Sequence, residues 1–280
     1  MNYSNYYPAS GLFHASLPLV MGTRMDALLF GDDSRQLENV WEQLEKELRL
    51  LEKMLNRFDP ASETAKVNTL ASLSAVRLTE ELWHILLDCR HYHEGTDGYF
   101  DITCSDFNKI VFMEETHSIF FDKPGMMLDF GGYGKGYALK CMREQLKVGG
   151  IKRALISFGN SSILALGGHP HGDSWPIGLE SLTQGNDLPP SHASSTNAVS
   201  KWLVHLLDTS LSVSGNSPAR KEHIVNPKTS QRIAGEQMVA IVAEDPVDAE
   251  ALTTAWIASG SYDPPDWMLN YNLIKKIRIK

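Results

Sequence analysis

Ten residues near the middle of the chain combine four glycines with a lysine and an aspartate. They read Leu128-Asp-Phe-Gly-Gly-Tyr-Gly-Lys-Gly-Tyr137. The pattern predicts a strand that stops at Asp129 and a helix that begins near Tyr133, with unhindered backbone N–H groups in the turn between them. Such a turn favours a phosphate ligand. The alternative is a glycine-rich turn that is packed tightly for steric reasons alone.

The glycine stretch matches neither of the standard nucleotide-binding loops. It lacks the spacing G-x-G-x-x-G, and it is not a P-loop because Tyr137, rather than Ser or Thr, follows Gly136. The overall charge gives no further support for an anionic ligand. At a formal net charge of −8 the chain is unsuited to a polyanion such as DNA, and an anionic ligand would need local positive charge.

Composition indicates an ordinary globular protein. The 280 residues are 42% apolar and 21% charged, a length and composition that suit one large domain or two modest ones. Without an internal repeat or a convincing linker, we expect a single domain over residues 1–280. Three widely spaced cysteines predict neither a disulfide framework nor a zinc site. Residues 1–8 lack the basic and apolar segments of a signal peptide, and no run reaches the about 18 apolar residues of a membrane span. We therefore expect a soluble, cytoplasmic protein without stable membrane insertion.

Four segments have the periodicity and end signals of helices. They are residues 34–55 with Asp33 or Ser34 as the cap, a helix that begins at Thr79 with the core stripe Leu82, Ile85, Leu86 and Cys89, a helix marked by Ala138, Met142 and Leu146, and residues 247–258.

Strand-like runs alternate irregularly with these helices. They lie on both sides of Met21-Gly22-Thr23, at 99–103, at 154–166 around Phe158-Gly159-Asn160, at 175–179, 204–213 and 238–243, and after the last helix. Residues 181–200 are rich in Ser, Asn, Pro and Gly, and we expect a mobile surface excursion there. The mixture predicts the α+β class, with mixed or antiparallel sheets packed against helices.

Two candidate sites lie outside the glycine stretch. Glu250 and Thr254 are four residues apart on the last predicted helix, so a carboxylate and a hydroxyl share one face, as suits Mg²⁺ or Ca²⁺. The alternative is a solvent-facing glutamate beside a surface threonine. His223, just after Ser214-Gly215, is either a catalytic group or a structural hydrogen-bonding residue.

The order of the motifs along the chain resembles the ApbE-type FAD:protein FMN transferases, from about residue 20 to residue 260. The motifs are Met21-Gly-Thr23, Phe58-x-Pro-x-Ser-Glu63 with Asn68, Gly98-Tyr-Phe-Asp-Ile-Thr103, Leu128-Asp-Phe-Gly-Gly-x-x-Lys-Gly-Tyr137, Trp175-Pro-x-Gly-Leu179, Ser212-x-Ser-Gly215, His223-Ile-x-x-Pro227 and Ala249-Glu-Ala-Leu-x-Thr-Ala255. Single motifs are weak, but eight in this order are specific.

The resemblance implies a T-fold-like α+β protein that binds FAD and Mg²⁺. It would transfer FMN from FAD to a Ser or Thr hydroxyl of an acceptor flavoprotein and release AMP. The residues implied for the FAD site are Met21, Phe58, Tyr99, Phe100, Asp101, Asp129, Lys135 and Ile224. Those implied for the metal are Gly132, through its carbonyl, with Glu250 and Thr254, and His223 is the implied acid/base or phosphate-contacting residue.

Several positions depart from the family pattern. Glu250 stands where the family usually has Asp, Lys140 replaces an acidic residue, Asn226 replaces the Asp of H-I-x-D-P, and Asn160 replaces a glycine. These changes keep two alternatives open beside the transferase. One is an FAD pyrophosphatase that forms FMN and AMP, and the other is a non-catalytic flavin-binding homologue.

Overall fold

The computed structural model describes residues 2–103, 105–159, 161–179, 202–216, 224–234 and 237–279. The strands are β1 (Tyr3–Tyr7), β2 (Leu12–Val20), β3 (Thr23–Phe30), β4 (Val76–Arg77), β5 (Ile110–Met113), β6 (Ser118–Phe121), β7 (Arg153–Phe158), β8 (Ser162–Leu166), β9 (Trp175–Gly178), β10 (Leu203–Leu206), β11 (Ser210–Asn216), β12 (Gln237–Ala243) and β13 (Leu273–Ile279). The helices are α1 (Ser34–Leu55), α2 (Glu63–Leu70), α3 (Glu80–Gly95), α4 (Gly134–Val148) and α5 (Pro246–Ser259).

One eight-stranded antiparallel sheet organises the molecule. Its order is β1-β2-β3-β7-β8-β11-β12-β13, and a three-stranded sheet (β4-β6-β5) and the β9–β10 pair accompany it. Side chains alternate between its two faces. Along β8, Leu164 packs with α1 and α4 on one face, whereas Ile163 packs with β9 and β10 on the other. The α+β class with antiparallel sheets and packed helices is confirmed.

The predicted helices form where the local signals place them. Helix α1 spans residues 34–55, and Asp33 caps it by accepting from the backbone N–H groups of Arg35 and Gln36. Thr79 caps α3 through the N–H of Leu82. Helix α5 is buried on almost every side, as expected for a helix that is apolar around most of its circumference.

The predicted strand before the glycine stretch is wrong, because a side chain replaces the neighbouring strand. The Asn68 amide bonds both backbone groups of Leu128, accepting from its N–H at 2.7 Å and donating to its carbonyl at 3.0 Å. The N–H of Asp129 donates to the carbonyl of Ile102. Residues 126–130 are therefore held in place without belonging to a sheet.

The strand predicted at residues 99–103 is also wrong. Asp101 accepts from the N–H and hydroxyl of Thr103 and from the N–H of Phe107, and these local bonds fold the segment into a turn. Helix α2 and strands β1, β4, β5 and β6 were not predicted. They are short or largely exposed, so their periodicity is weak.

Other expectations meet the limits of the described residues. The expected surface excursion at 181–200, His223 and Cys104 lie outside them. The prediction of a single domain over 1–280 stays a prediction. Within the described ranges, none of the helices has both the length and the apolar character needed to cross a membrane.

Candidate active site

The glycine stretch makes a tight turn that begins α4. The N–H groups of Tyr133 and Gly134 donate to the carbonyl of Phe130, and the N–H of Gly131 donates to the Asp129 side chain at 2.9 Å. Tyr133 is fully buried and donates its hydroxyl proton to Asp88 at 2.5 Å. Burial first, and then nearby acidic groups, raise the pKa of Tyr133 far above its ordinary value, so it stays a neutral donor.

Two of the glycines let α4 approach α5 closely. A Cβ on Gly132 would lie 2.8 Å from Thr254 Cγ2 and 2.9 Å from its Oγ1. A Cβ on Gly136 would lie 2.7 Å from Glu250 Cβ. Steric packing is thus a real reason for these glycines. The same packing brings the turn, Lys135 and the polar residues of α5 together.

Glu250 is at the centre of this contact. It is only 4% exposed, so the solvent-facing alternative for this residue is wrong. Its Oε1 lies 2.5 Å from the Lys135 ammonium, and its Oε2 accepts from Ser162 at 2.6 Å and from Ser212 at 2.9 Å. We call these four residues the carboxylate cluster. A buried carboxylate is stable when it is paired and hydrogen-bonded in this way.

A second row of hydroxyl groups supports the carboxylate cluster. Ser214 donates to Thr253 Oγ1 at 3.0 Å, and Thr253 donates to the carbonyl of Ala249 at 2.9 Å. Ser212 Oγ lies 3.1 Å from the same Thr253 oxygen. The polar groups between β11 and α5 are therefore joined into one network.

Several predicted FAD-site residues surround the glycine turn. A Cβ on Gly134 would lie 3.1 Å from Met21 Cε, so Met21 adjoins the start of α4. Asp129 Oδ2 is 3.2 Å from Arg57 Nε, and the Arg57 guanidinium lies 4.5 Å from the centre of the Phe58 ring. Phe58 itself is 79% exposed.

Tyr99 resembles Phe58 in having a cation over its ring. Lys228 Nζ lies 4.1 Å from the centre of the half-buried Tyr99 ring. We call the two aromatic residues with their cations, Arg57, Phe58, Tyr99 and Lys228, the aromatic rim. Ile224 is half-buried and packs against the core that also contacts Tyr99.

Two predicted FAD-site residues have visible structural tasks. Phe100 is 1% exposed, and its ring packs against Tyr92 and Tyr133 in the core, so this ring does not reach the surface. Asp101 accepts the turn hydrogen bonds of Thr103 and Phe107. For both residues the role in FAD binding stays a prediction.

The residues predicted to hold a metal lie close together, and all would donate through oxygen. Gly132 and Thr254 are in contact, and Glu250 precedes Thr254 by one helical turn, which suits a hard cation such as Mg²⁺. The set holds one carboxylate, and within the described ranges there is no group of three or more His, Cys, Asp and Glu side chains that could hold a metal. The donors fit Mg²⁺ if water or phosphate oxygens supply the remaining ligands. The Lys135 ammonium would also have to move away from Glu250 Oε1.

Two departures from the family pattern have structural explanations. Lys140 pairs with Asp245, the cap of α5, at 2.8 Å, and this joins α4 to the start of α5. The Asn226 side chain accepts from the N–H groups of Lys228 and Thr229, as an aspartate can.

Comparison with known proteins gives a family for the whole arrangement. The model of the ApbE family matches residues 21–118 and 105–273. The chain belongs to the ApbE family.

Named relatives in sequence are remote. An FAD:protein FMN transferase of Chlamydia muridarum is 22% identical over 253 residues, which cover 73% of this chain and 71% of the relative. One from Klebsiella pneumoniae is 24% identical over 195 residues, or 64% of this chain, and the match spans about half of that relative (54%).

Solved ApbE structures share the fold. The ApbE protein of Thermotoga maritima superposes on this chain with a TM-score of 0.76 at 19% identity. The match covers 92% of this chain and 90% of the Thermotoga maritima chain. The flavin transferase ApbE of Vibrio cholerae gives 0.70 at 16% identity, with 89% and 87% covered. At these identities the likeness concerns the fold.

Sequence reasoning missed Ser162, Ser212, Thr253 and Arg57 as members of this ApbE site. Ser162 had one usable signal, since it is the single polar residue of the fully buried strand β8. Ser212 belongs to a motif that was noted, but its partner Glu250 is 38 residues away. Neither contact follows from local spacing.

Proposed function

We propose that this ApbE protein is a Mg²⁺-dependent FAD:protein FMN transferase. Its substrate would be FAD, and its acceptor would be a flavoprotein with a target Ser or Thr hydroxyl. The observation that carries the proposal is the ion pair of Lys135 with the buried Glu250, which lies against the glycine turn and next to Gly132 and Thr254. The names of the sequence relatives support the same activity.

The reaction is a displacement at phosphorus. The acceptor hydroxyl oxygen bonds to the phosphorus of the FMN half, the bond from that phosphorus to the bridging oxygen breaks, and AMP leaves with the electron pair. The hydroxyl proton passes to a base, and His223 is our candidate for that base. Such a step needs neutralised phosphate oxygens and a positioned nucleophile rather than a nucleophile from the enzyme.

The chain's own residues divide this work. Three N–H groups of the glycine turn already bond Asp129 and Phe130, so positive charge for a phosphate would come from the Lys135 ammonium, with three donors at the first turn of α4. Glu250, Thr254 and the Gly132 carbonyl would hold Mg²⁺, which supplies Lewis-acid neutralisation of phosphate charge when bound. The aromatic rim offers the faces of Phe58 and Tyr99 to a flavin or adenine ring.

The test is to incubate the protein with FAD, Mg²⁺ and candidate acceptor proteins. We expect AMP release and covalently bound flavin in equal amounts, and loss of both when EDTA removes the metal. AMP release with FMN and no covalent flavin would support the pyrophosphatase. FAD binding, seen as a raised melting temperature, without AMP release would support the non-catalytic homologue.

A further inference from the structure

Two serines beneath Glu250 form a matched pair on neighbouring strands. Ser162 of β8 and Ser212 of β11 are direct partners in the antiparallel register. They are 1% and 2% exposed, and directly opposed residues of a sheet project to the same face. Both hydroxyls therefore face α5 from the rigid centre of the sheet.

Both serines bond the same oxygen of the carboxylate. Ser162 and Ser212 donate to Glu250 Oε2 at 2.6 and 2.9 Å, while Oε1 faces Lys135. Glu250 Oε2 at 2.9 Å is a closer acceptor for the Ser212 proton than Thr253 Oγ1 at 3.1 Å, and it belongs to a carboxylate, which is the stronger acceptor. The two oxygens of Glu250 thus have different environments.

We propose that Ser162 and Ser212 are positioning residues that fix Oε2, so that Glu250 meets a divalent cation through Oε1 alone. This inference rests on the proposed function, in which Glu250 is a metal ligand. A monodentate carboxylate held by outer hydrogen bonds suits the octahedral geometry of Mg²⁺, and such outer partners strongly affect metal affinity.

The same arrangement explains the contact with Lys135. With Oε2 held by the serines, Oε1 is left for one cation at a time. The Lys135 ammonium holds that oxygen in this structure, and Oε1 would be open to a divalent cation once the ammonium turned to a phosphate. The serines would keep the carboxylate in place whether the lysine or the metal ion occupies Oε1. Because the glutamate side chain is already ordered, metal binding would cost less side-chain entropy.

The experiment measures binding of Mn²⁺, a spectroscopic probe for the metal site, by its free EPR signal in the presence of FAD. We expect Ser162→Ala and Ser212→Ala each to weaken Mn²⁺ binding about tenfold and the double variant about a hundredfold. FAD affinity in EDTA should stay within about twofold, because the serines act through the metal ligand.

Ser210→Ala is the matched control. Ser210 lies on the same strand and face, is 1% exposed, and its hydroxyl has no hydrogen-bond partner among the described residues. It should leave Mn²⁺ affinity unchanged. If the alanine variants do not fold, Ser162→Cys and Ser212→Cys keep the volume with a weaker donor and should still bind Mn²⁺ less tightly.

The outcomes separate this inference from the function on which it rests. Unchanged Mn²⁺ affinity in folded Ser162 and Ser212 variants, with only a lower melting temperature, would overturn the positioning role and leave the metal site intact. A wild-type protein that binds FAD but no Mn²⁺ would overturn the metal site, and the positioning role with it.

Discussion

The carboxylate cluster and the aromatic rim have opposite physical character. The cluster is buried, and both oxygens of Glu250 are bonded by groups on α4, β8 and β11. The rim is more exposed, and each of its rings is covered by one cation at 4.1 to 4.5 Å. An exposed cation–π contact is worth about 0.5–1 kcal/mol, so a ligand ring can displace it at little cost.

This difference suggests a division of labour. Groups that handle phosphate charge need a fixed arrangement, because reorganisation during the reaction costs rate. Groups that cover a flat ring need only to be available. We therefore expect changes in the cluster to affect reaction rate and metal dependence, and changes in the rim to affect FAD affinity.

The largest effect is expected from Glu250→Gln. The amide keeps the shape but lacks the negative charge, so Mg²⁺-dependent AMP release should fall to background. Loss of the ion pair leaves Lys135, with 19% of its side chain exposed, without its partner, and the melting temperature should fall while the fold persists. Full activity with the same metal dependence in AMP-release assays would refute the role of Glu250. The exposed Glu244→Gln, six residues earlier, is the control.

His223→Ala is expected to have the next largest effect and to separate chemistry from binding. General acid–base assistance is worth about 10²–10⁴-fold, so single-turnover AMP release should slow at least about a hundredfold. FAD affinity, measured by fluorescence quenching, should stay within a few-fold. Matched losses in rate and affinity would make His223 a phosphate contact, and no loss would remove it from the site. His84→Ala, exposed on α3, is the control.

Phe58→Ala tests the aromatic rim. A lost ring contact of about 0.5–1.5 kcal/mol should weaken FAD binding by up to about tenfold. The ring is 79% exposed, so the melting temperature of the free protein should hardly change. Leu269→Ala, at a position that is 78% exposed, controls for removal of an exposed apolar side chain. A rate loss at saturating FAD without an affinity loss would contradict the division between rim and cluster.

The smallest effect is expected at Asp248, a second carboxylate on α5, whose side chain bonds a tyrosine rather than a lysine. Burial raises the pKa of Asp248, although Tyr92 donates to it at 2.7 Å. Since the folded pKa lies above the unfolded one, this group contributes stability below the unfolded value of about 3.9, and that contribution is lost as pH rises through the folded pKa. Asp248→Asn should therefore gain stability relative to wild type as pH rises.

Thermal melts between about pH 3.5 and pH 7 would check this pH dependence. The exposed Asp263→Asn should show a flat difference from wild type across the same range. A flat difference for Asp248→Asn as well would mean that the carboxylate has its ordinary pKa in the folded protein.

Local sequence signals were sufficient for the long helices. Helix α1 has seven apolar residues on one face, and Asp33 caps its start. Both signals act within a few positions of the chain, so the boundaries of α1 could be predicted to the residue. Local signals failed at Leu128, whose partner is distant, and at residues 99–103, where the Asp101 side chain bonds the local backbone. Asn68 is 60 residues from Leu128, and no periodicity reports such a bond.

The sequence by itself determined the family, the α+β class and the choice of Lys135, Glu250 and Thr254 as candidates, because motif order and helical spacing are linear properties. The tertiary structure alone decided that Glu250 is buried and which groups bind it. Its partners Lys135 and Ser162 are 115 and 88 residues away. Those contacts exist because Gly132 and Gly136 let α4 and α5 pack closely against each other, over the sheet face that carries Ser162 and Ser212. Packing of that kind is a property of the folded chain.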